Sequence, residues 1–145
     1  MSASKSVGAK MVNPDYVPEW YISPFQHVQY TLALNQLHMD LLFEDMDKAD
    51  QFLDMGADAQ VSTFSDGAYA IVQIGDTSDK DQIQVYGLLL HEAVHVWQKM
   101  KKLMGEREPS SEFEAYSIQA IAQDLFKMYE ESEVKSHGME GEKAV

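Results

Sequence analysis

The sequence predicts an α+β domain that is mostly helical and carries a small antiparallel β-hairpin or sheet. Apolar residues recur at helical spacings over long stretches before residue 55 and after residue 80. Between them, residues 59–75 are rich in strand formers and contain the turn pair Asp66-Gly67. The length of 145 residues and the hydrophobic fraction of 45% suit one domain with its own core.

Net charge excludes some classes of partner. The chain has 24 Asp and Glu against 11 Lys and Arg, a formal charge of −13. Nucleic acids and anionic membrane surfaces are therefore not expected as partners, and electrostatic steering would favour a cationic ligand. No apolar run approaches the roughly 20 residues of a membrane span. The chain has no cysteine, so any metal must bind to histidine and carboxylate side chains.

The predicted organisation is a flexible leader (residues 1–13), one domain (14–131) and a flexible acidic tail (132–145). The leader has no apolar stretch behind its lysines, so it is not a secretory signal, and the expected compartment is the cytoplasm of a cell or of a phage-infected cell.

The first part of the domain is predicted to be extended and then helical. "DYVPEWYISPF" (15–25) is broken by two prolines, and its aromatic residues are expected to pack across the domain or, alternatively, to line a substrate groove. Ser23, Pro24 and Gln26 form a capping pattern that predicts a helix start. One long helix, or two helices broken near residues 40–47, would then run to "DMGAD", with Gly56 after its end. The apolar positions of this predicted helix are Phe25, Val28, Leu32, Leu37, Leu41, Leu42, Met46 and Phe52.

Two further helices follow the hairpin. Ser78-x-x-Asp81 resembles a helix cap, which predicts a helix from about residue 80 to residue 104 that ends at Gly105. Pro109-Ser110-Ser111 is predicted to begin a last helix that runs to about residue 131.

The first of these two helices contains "GLLLHEAVHVWQKM". Residues four apart on a helix lie one above the other, so His91 and His95 can bind one metal ion while Glu92 lies beside it as a general base. The structural alternative is a buried histidine pair without a metal. An apolar stripe is expected to anchor the helix, while a line through the histidines faces a cleft. The stripe is Tyr86, Leu90, Ala93, Trp97, Met100 and Met104, and the line is Leu88, His91, His95 and Gln98.

A third ligand must come from elsewhere in the chain. Gln98 and Lys101 exclude a third ligand in the His-x-x-Gly-x-x-His pattern. The last helix offers Glu112 and Glu114. With Ser111 as N-cap, Glu114 would complete a capping box and leave Glu112 free. Against this, Glu114 aligns at helical spacing with the apolar positions of the same helix, so the residues alone leave both open.

"HEAVH" followed by "EFEAYSI" resembles the gluzincin-type metallopeptidases, and most closely minimal cytoplasmic zincins such as the ImmA/IrrE-like peptidases and short phage-associated domains. The resemblance covers only the stretch from these histidines to the start of the last helix. It implies a zincin-like fold, Zn2+ bound by His91, His95 and Glu112, and Glu92 as general base. The chain departs from the family at Tyr116, where Asp or Asn is usual. Tyr116 would orient a zinc-binding histidine, stabilise an oxyanion or pack in the core.

The resulting hypothesis is a zinc-dependent metallopeptidase that hydrolyses a peptide or protein substrate. The resemblance also nominates "AYAIVQIG" as an edge strand for binding extended peptide. The alternative is a non-catalytic zinc-binding scaffold or interaction protein, possibly phage-encoded. His27 and His38 are interpreted as solvent or core histidines, and His137 lies in the tail and would approach the site only if the tail folded back.

Overall fold

The computed structural model describes residues 12–43, 50–53 and 56–133. These residues form an α+β domain, which confirms the predicted α+β class, but the sheet has four strands and is mixed rather than antiparallel. The elements in chain order are β1 (Tyr21–Ile22), a 3-10 turn (Pro24–Gln26), β2 (Gln29–Ala33), α1 (Gln36–Leu42), β3 (Ala59–Phe64), β4 (Tyr69–Ile74), α2 (Gln82–Met104) and α3 (Ser111–Ser132).

The sheet has the strand order β1-β2-β4-β3. β2 and β4 are parallel, whereas β1 and β3 are antiparallel to their neighbours. β3 is therefore an edge strand and β4 an internal one, so the expectation that "AYAIVQIG" lies at the edge is wrong. Residues 70–74 are fully buried and all but Gln73 are apolar, which is typical of an internal strand with both faces covered.

The predicted long helix from residue 23 is also wrong. The Ser23 hydroxyl accepts a hydrogen bond from the Val28 N–H at 3.0 Å, and Phe25 and Gln26 both have φ of 61°, which no helix accommodates. The misleading signal is the pair Val28 and Leu32. Residues four apart share a helix face, but they also share a strand face together with the residue between them, here Tyr30. All three are buried in the main core.

Among the described residues of this predicted helix, α-helix is confined to the seven residues of α1. Asn35 caps α1 by accepting from the His38 N–H at 2.9 Å. Gly56 has a φ of 85° but lies in a turn. Residues 44–49, 54 and 55 lie outside the described part of the chain, and so does the predicted helical position Met46.

The predicted hairpin is confirmed. β3 and β4 pair antiparallel, with Phe64 opposite Tyr69 at the closed end. Three successive turn residues, Ser65, Asp66 and Gly67, have φ of 54°, 58° and 91°, and glycine adopts such values without strain. The turn lies beside the C-terminal part of α2, because a Cβ built on Gly67 would lie 3.9 Å from Leu103 Cδ1. β3 therefore runs alongside α2.

The two long helices form an antiparallel pair that covers one face of the sheet. Aromatic contacts join them at both ends, Tyr86 with Phe126 (4.7 Å between ring centroids) and Trp97 with Phe113 (5.6 Å). The buried face of α2 is Val85, Leu89, Glu92, Ala93, Val96, Trp97 and Met100. The predicted stripe is wrong at Leu90, which is 45% exposed.

The helix ends differ from the predicted caps by a few residues. Asp81, and not Ser78, caps α2 in a reciprocal box with Gln84. Ser110, and not Ser111, caps α3 by accepting from the Phe113 N–H. Gly105 ends α2 with a φ of 73°, as predicted.

The first described residues of the chain contact the end of α3. Val12 forms a β-bridge with Glu133, and the Asn13 N–H donates to the Ser132 carbonyl at 2.6 Å. Residues 12 and 13, assigned to the leader from sequence, therefore contact the domain, and Ser132, assigned to the tail, is buried as the last residue of α3. The remaining leader and tail residues, 1–11 and 134–145, lie outside the described ranges. No helix in the described part of the chain is long and apolar enough to cross a membrane.

Candidate metal centre

His91 and His95 lie together on the exposed face of α2. Their Nε2 atoms are 3.2 Å apart, and the two rings are nearly perpendicular at 78°. Two nitrogens that bind one tetrahedral zinc ion at about 2.0–2.1 Å each are about 3.3 Å apart, because the angle between them at the metal is near the tetrahedral value. The pair therefore has the spacing of two ligands to one ion.

Gln98 orients the second histidine. Its side-chain oxygen Oε1 lies 2.9 Å from His95 Nδ1, and an amide oxygen only accepts hydrogen bonds. His95 Nδ1 consequently carries the proton, which leaves the lone pair of Nε2 available to a metal or to a proton from His91 Nε2. Gln98 belongs to the line of α2 residues that the sequence predicts to face the cleft, but no role for it was predicted. The signal was its position three residues after His95.

Glu92 is buried next to this exposed pair, with 4% of its surface accessible. Burial raises the pKa of its carboxyl group, and the nearby His91 and His95 oppose that shift with a smaller effect. Although buried, Glu92 lines the cleft on both sides of His91. Glu92 is therefore a buried carboxylic acid in the wall of the same cleft as the two histidines.

The cleft lies between α2 and β3 and consists of two adjoining grooves that share Ala59, His91 and Glu92. The N-terminal groove, of about 510 Å³, is completed by Asp58, Lys80, Gln84, Gly87 and Leu88. The C-terminal groove, of about 540 Å³, is completed by Gln60, Val61, His95, Gln98, Lys99 and Lys102. The histidine pair thus lies at the middle of a surface channel that follows an edge strand.

The two candidate carboxylates have different surroundings. Glu114 is half-buried and accepts a hydrogen bond from the Trp97 indole Nε1 at 2.9 Å. Because Ser110 is the cap, Glu114 lies one position beyond the predicted capping box, and Glu112 is exposed at the second position of α3. Trp97, two residues after His95, also contacts Phe113. The first turn of α3 is therefore held against the part of α2 that carries the metal-binding motif.

The structure brings His91, His95 and Glu92 together, but it does not add a carboxylate ligand to the pair. Over residues 12–43, 50–53 and 56–133, no group of three or more His, Asp or Glu side chains is arranged to hold a metal ion. His91 and His95 thus lie close enough together on α2 to bind one metal ion, and Glu112 lies in the first turn of α3.

Tyr116 is 66% exposed, which excludes the core role that its aromatic ring allowed. The preceding residue, Ala115, is exposed as well. Tyr116 lies one helical turn after Glu112 and therefore on the same side of α3.

The other histidines are separate from this centre. His38 is buried, and its Nδ1 accepts a hydrogen bond from the Leu34 N–H at 2.9 Å, which agrees with its interpretation as a core residue. His27 is exposed after the 3-10 turn, and His137 lies outside the described residues.

Comparisons of the chain with protein-family models, with curated proteins and with solved structures find no match. The resemblance to gluzincins therefore depends on two short motifs in "HEAVH" and "EFEAYSI".

Proposed function

We propose that the chain is a small cytoplasmic zinc-dependent metallopeptidase with a zincin-like fold. His91, His95 and Glu112 bind zinc, and Glu92 is the general base. The observation that carries the proposal is the 3.2 Å distance between the two Nε2 atoms, in a cleft that the buried Glu92 also lines. When bound, zinc lowers the pKa of its water to about 7 and polarises the scissile carbonyl.

The residues of the chain then have separate tasks. Glu92, whose pKa is raised by burial, accepts a proton from the attacking water and passes it to the leaving amine. Gln98 keeps His95 in the tautomer that exposes the Nε2 lone pair. Glu112 is the exposed carboxylate on the adjoining turn of α3, since Glu114 is already bound by Trp97.

The substrate class that fits the cleft is an extended peptide. β3 has a neighbouring strand on one side only, and its residues Ala59, Gln60 and Val61 line the C-terminal groove beside the histidines. A peptide that pairs with the open side of β3 would pass over His91 and His95 by strand addition. A carbonyl of its backbone would then lie near the metal.

The test is the Glu92→Gln variant, which keeps the shape of the side chain and removes the base. We expect the wild-type protein to bind about one zinc per chain, and we expect the variant to retain zinc but to lose hydrolysis of an unstructured protein substrate. General base catalysis contributes about 10²- to 10⁴-fold. Glu106→Gln, an exposed change outside both grooves, is the matched control. If Glu92→Gln bound zinc and cleaved at the wild-type rate, the mechanism would be wrong.

One observation favours a second candidate, a non-catalytic zinc-binding scaffold. In the described ranges, no third His, Asp or Glu joins the histidine pair. Removal of zinc by a chelator separates the two candidates. A structural zinc contributes folding energy, so its removal unfolds the protein, whereas removal of a catalytic zinc abolishes activity and leaves the fold intact. Circular dichroism of the chelated protein should show the native helix content if the peptidase proposal is right.

A further inference from the structure

The C-terminal groove is positively charged within a strongly acidic chain. Two of the chain's 11 basic residues, Lys99 and Lys102, line this groove, whereas the formal net charge of the chain is −13. Lys99 and Lys102 line the C-terminal groove together with His95, and both side chains are exposed. Local charge beside the histidine pair is thus opposite in sign to the charge of the whole chain.

Nothing described in the structure neutralises these two lysines. The one carboxylate that lines the C-terminal groove is Glu92, which is buried. No ion pair of Lys99 or Lys102 is formed within the described ranges. In the N-terminal groove, by contrast, the Lys80 ammonium lies 3.6 Å from Asp58 and 3.2 Å from Asp79. The two halves of the cleft therefore differ in the cationic charge they leave free for a ligand.

A structural role for the helix end explains only part of this charge. Lysines in the last turn of a helix interact favourably with the negative end of the helix dipole, and Lys101 and Lys102 lie in that turn of α2. Lys99 lies before it, on the same face as His95 and Lys102, since residues three and four apart on a helix are neighbours. The dipole therefore does not account for the alignment of Lys99 with the groove.

From this asymmetry we infer that the C-terminal groove selects peptides that carry an acidic side chain on the side of the scissile bond above Lys99 and Lys102. The inference rests on the proposed peptidase function. α2 rises about 1.5 Å per residue and an extended peptide about 3.3 Å per residue. Lys99 and Lys102 are four and seven residues beyond His95 along α2. At these rises they lie beside peptide residues about two and three positions from the scissile bond.

The chain's overall charge does not prevent this selection. Exposed charges are largely screened beyond a Debye length of about 8–10 Å at physiological salt. A carboxylate in the groove is therefore affected mainly by the two lysines that touch it, and much less by distant acidic residues. The net negative charge slows the approach of an acidic peptide, which is an effect on the association rate.

The experiment measures binding without turnover, in the zinc-loaded full-length Glu92→Gln variant. The probes are a fluorescein-labelled extended peptide with a run of aspartates and its counterpart with asparagines at the same positions. We expect the aspartate peptide to bind roughly fivefold more tightly at low ionic strength, as two exposed ion pairs suggest. The ratio should decrease as sodium chloride is added.

Lys99→Gln combined with Lys102→Gln should bring the ratio of affinities close to one. Lys127→Glu changes the net charge by the same amount at an exposed position of α3 outside both grooves, and should keep the ratio. Equal binding of the two peptides, no binding of either, or a preference that persists in the double variant would each overturn the inference. The peptidase proposal is tested separately, by measuring the zinc content of the wild-type protein and its cleavage of substrate. It fails if the wild-type protein binds no zinc or cleaves no substrate.

Discussion

The Trp97 indole Nε1 donates a hydrogen bond to Glu114 Oε2 at 2.9 Å and so ties the first turn of α3 to α2, two residues after His95. Trp97 is almost completely buried, and its ring also contacts Phe113. A buried indole N–H needs an acceptor, because an unpaired buried donor costs about 1–3 kcal/mol. Glu114 therefore has a structural role, and Glu112 is left as the proposed metal ligand.

Single substitutions separate the two carboxylates. We expect Glu114→Ala to lower the free energy of unfolding by about 1.5–3 kcal/mol, since a hydrogen bond to a charged group is lost. Zinc content should not change. Glu112→Ala should bind zinc much more weakly with little change in stability, because Glu112 is exposed. Urea unfolding with chelator present and zinc analysis measure the two effects, and loss of zinc in Glu114→Ala alone would show that Glu114 is the ligand.

A second prediction concerns Gln98, whose amide oxygen holds His95 Nδ1. Gln98→Ala should weaken zinc binding by about 10- to 100-fold, because a ligand without its outer partner is poorly oriented. Competition with a chromophoric chelator measures the affinity. Gln123→Ala, at an exposed position of α3 outside both grooves, is the control. Equal zinc affinities for the two variants would remove Gln98 from the metal centre.

His38 predicts a dependence of stability on pH. Burial lowers its pKa below the ordinary value of 6.5, and protonation of Nδ1 would break the hydrogen bond from the Leu34 N–H. The unfolded chain therefore takes up this proton at a higher pH than the folded chain. The contribution of His38 to stability is complete above pH 6.5 and decreases as the pH falls below that value, by up to about 1.4 kcal/mol per pH unit.

Urea unfolding at a series of pH values, with chelator present, measures this loss. His38→Gln should make the dependence between pH 7 and pH 5 shallower, since Gln does not titrate. His27→Gln, which replaces an exposed histidine, is the matched control. The same slope in wild type and His38→Gln would show that His38 is not responsible.

The hydroxyl of Tyr30 predicts a local stability effect. Tyr30 is fully buried in β2, and its hydroxyl donates to the Asp124 side chain of α3, which joins the sheet to the helix layer. Tyr30→Phe should lower the free energy of unfolding by about 1–3 kcal/mol, because the half-buried carboxylate loses its donor. Tyr69→Phe is the control, since Tyr69 contributes ring contacts with Trp20 and Phe64. A smaller loss for Tyr30→Phe than for Tyr69→Phe would contradict this role.

Local sequence signals predicted the elements whose hydrogen bonds are local. The hairpin of β3 and β4 joins strands that are neighbours in sequence, so its alternation and turn residues lie in one short window. α2 was predicted nearly to its ends, because a cap and a terminal glycine are themselves local features. The predicted N-caps Ser78 and Ser111 were wrong because several residues that can cap a helix lie close together there. The side-chain hydrogen bonds show which of them is the cap.

The sequence by itself determined the α+β class, the helical spacing that brings His91 and His95 together, and the identity of Glu92 beside them. Tertiary structure decided that residues 29–33 form a strand, because β2 pairs with β4 about forty residues later in the chain. A short window of sequence does not contain both strands and so does not predict their pairing. It also made β3 the edge strand, set Glu114 against Trp97, and left Lys99 and Lys102 without a described partner in the cleft. Each of these depends on contacts between segments distant in sequence, and such contacts override local propensity when they bury more surface.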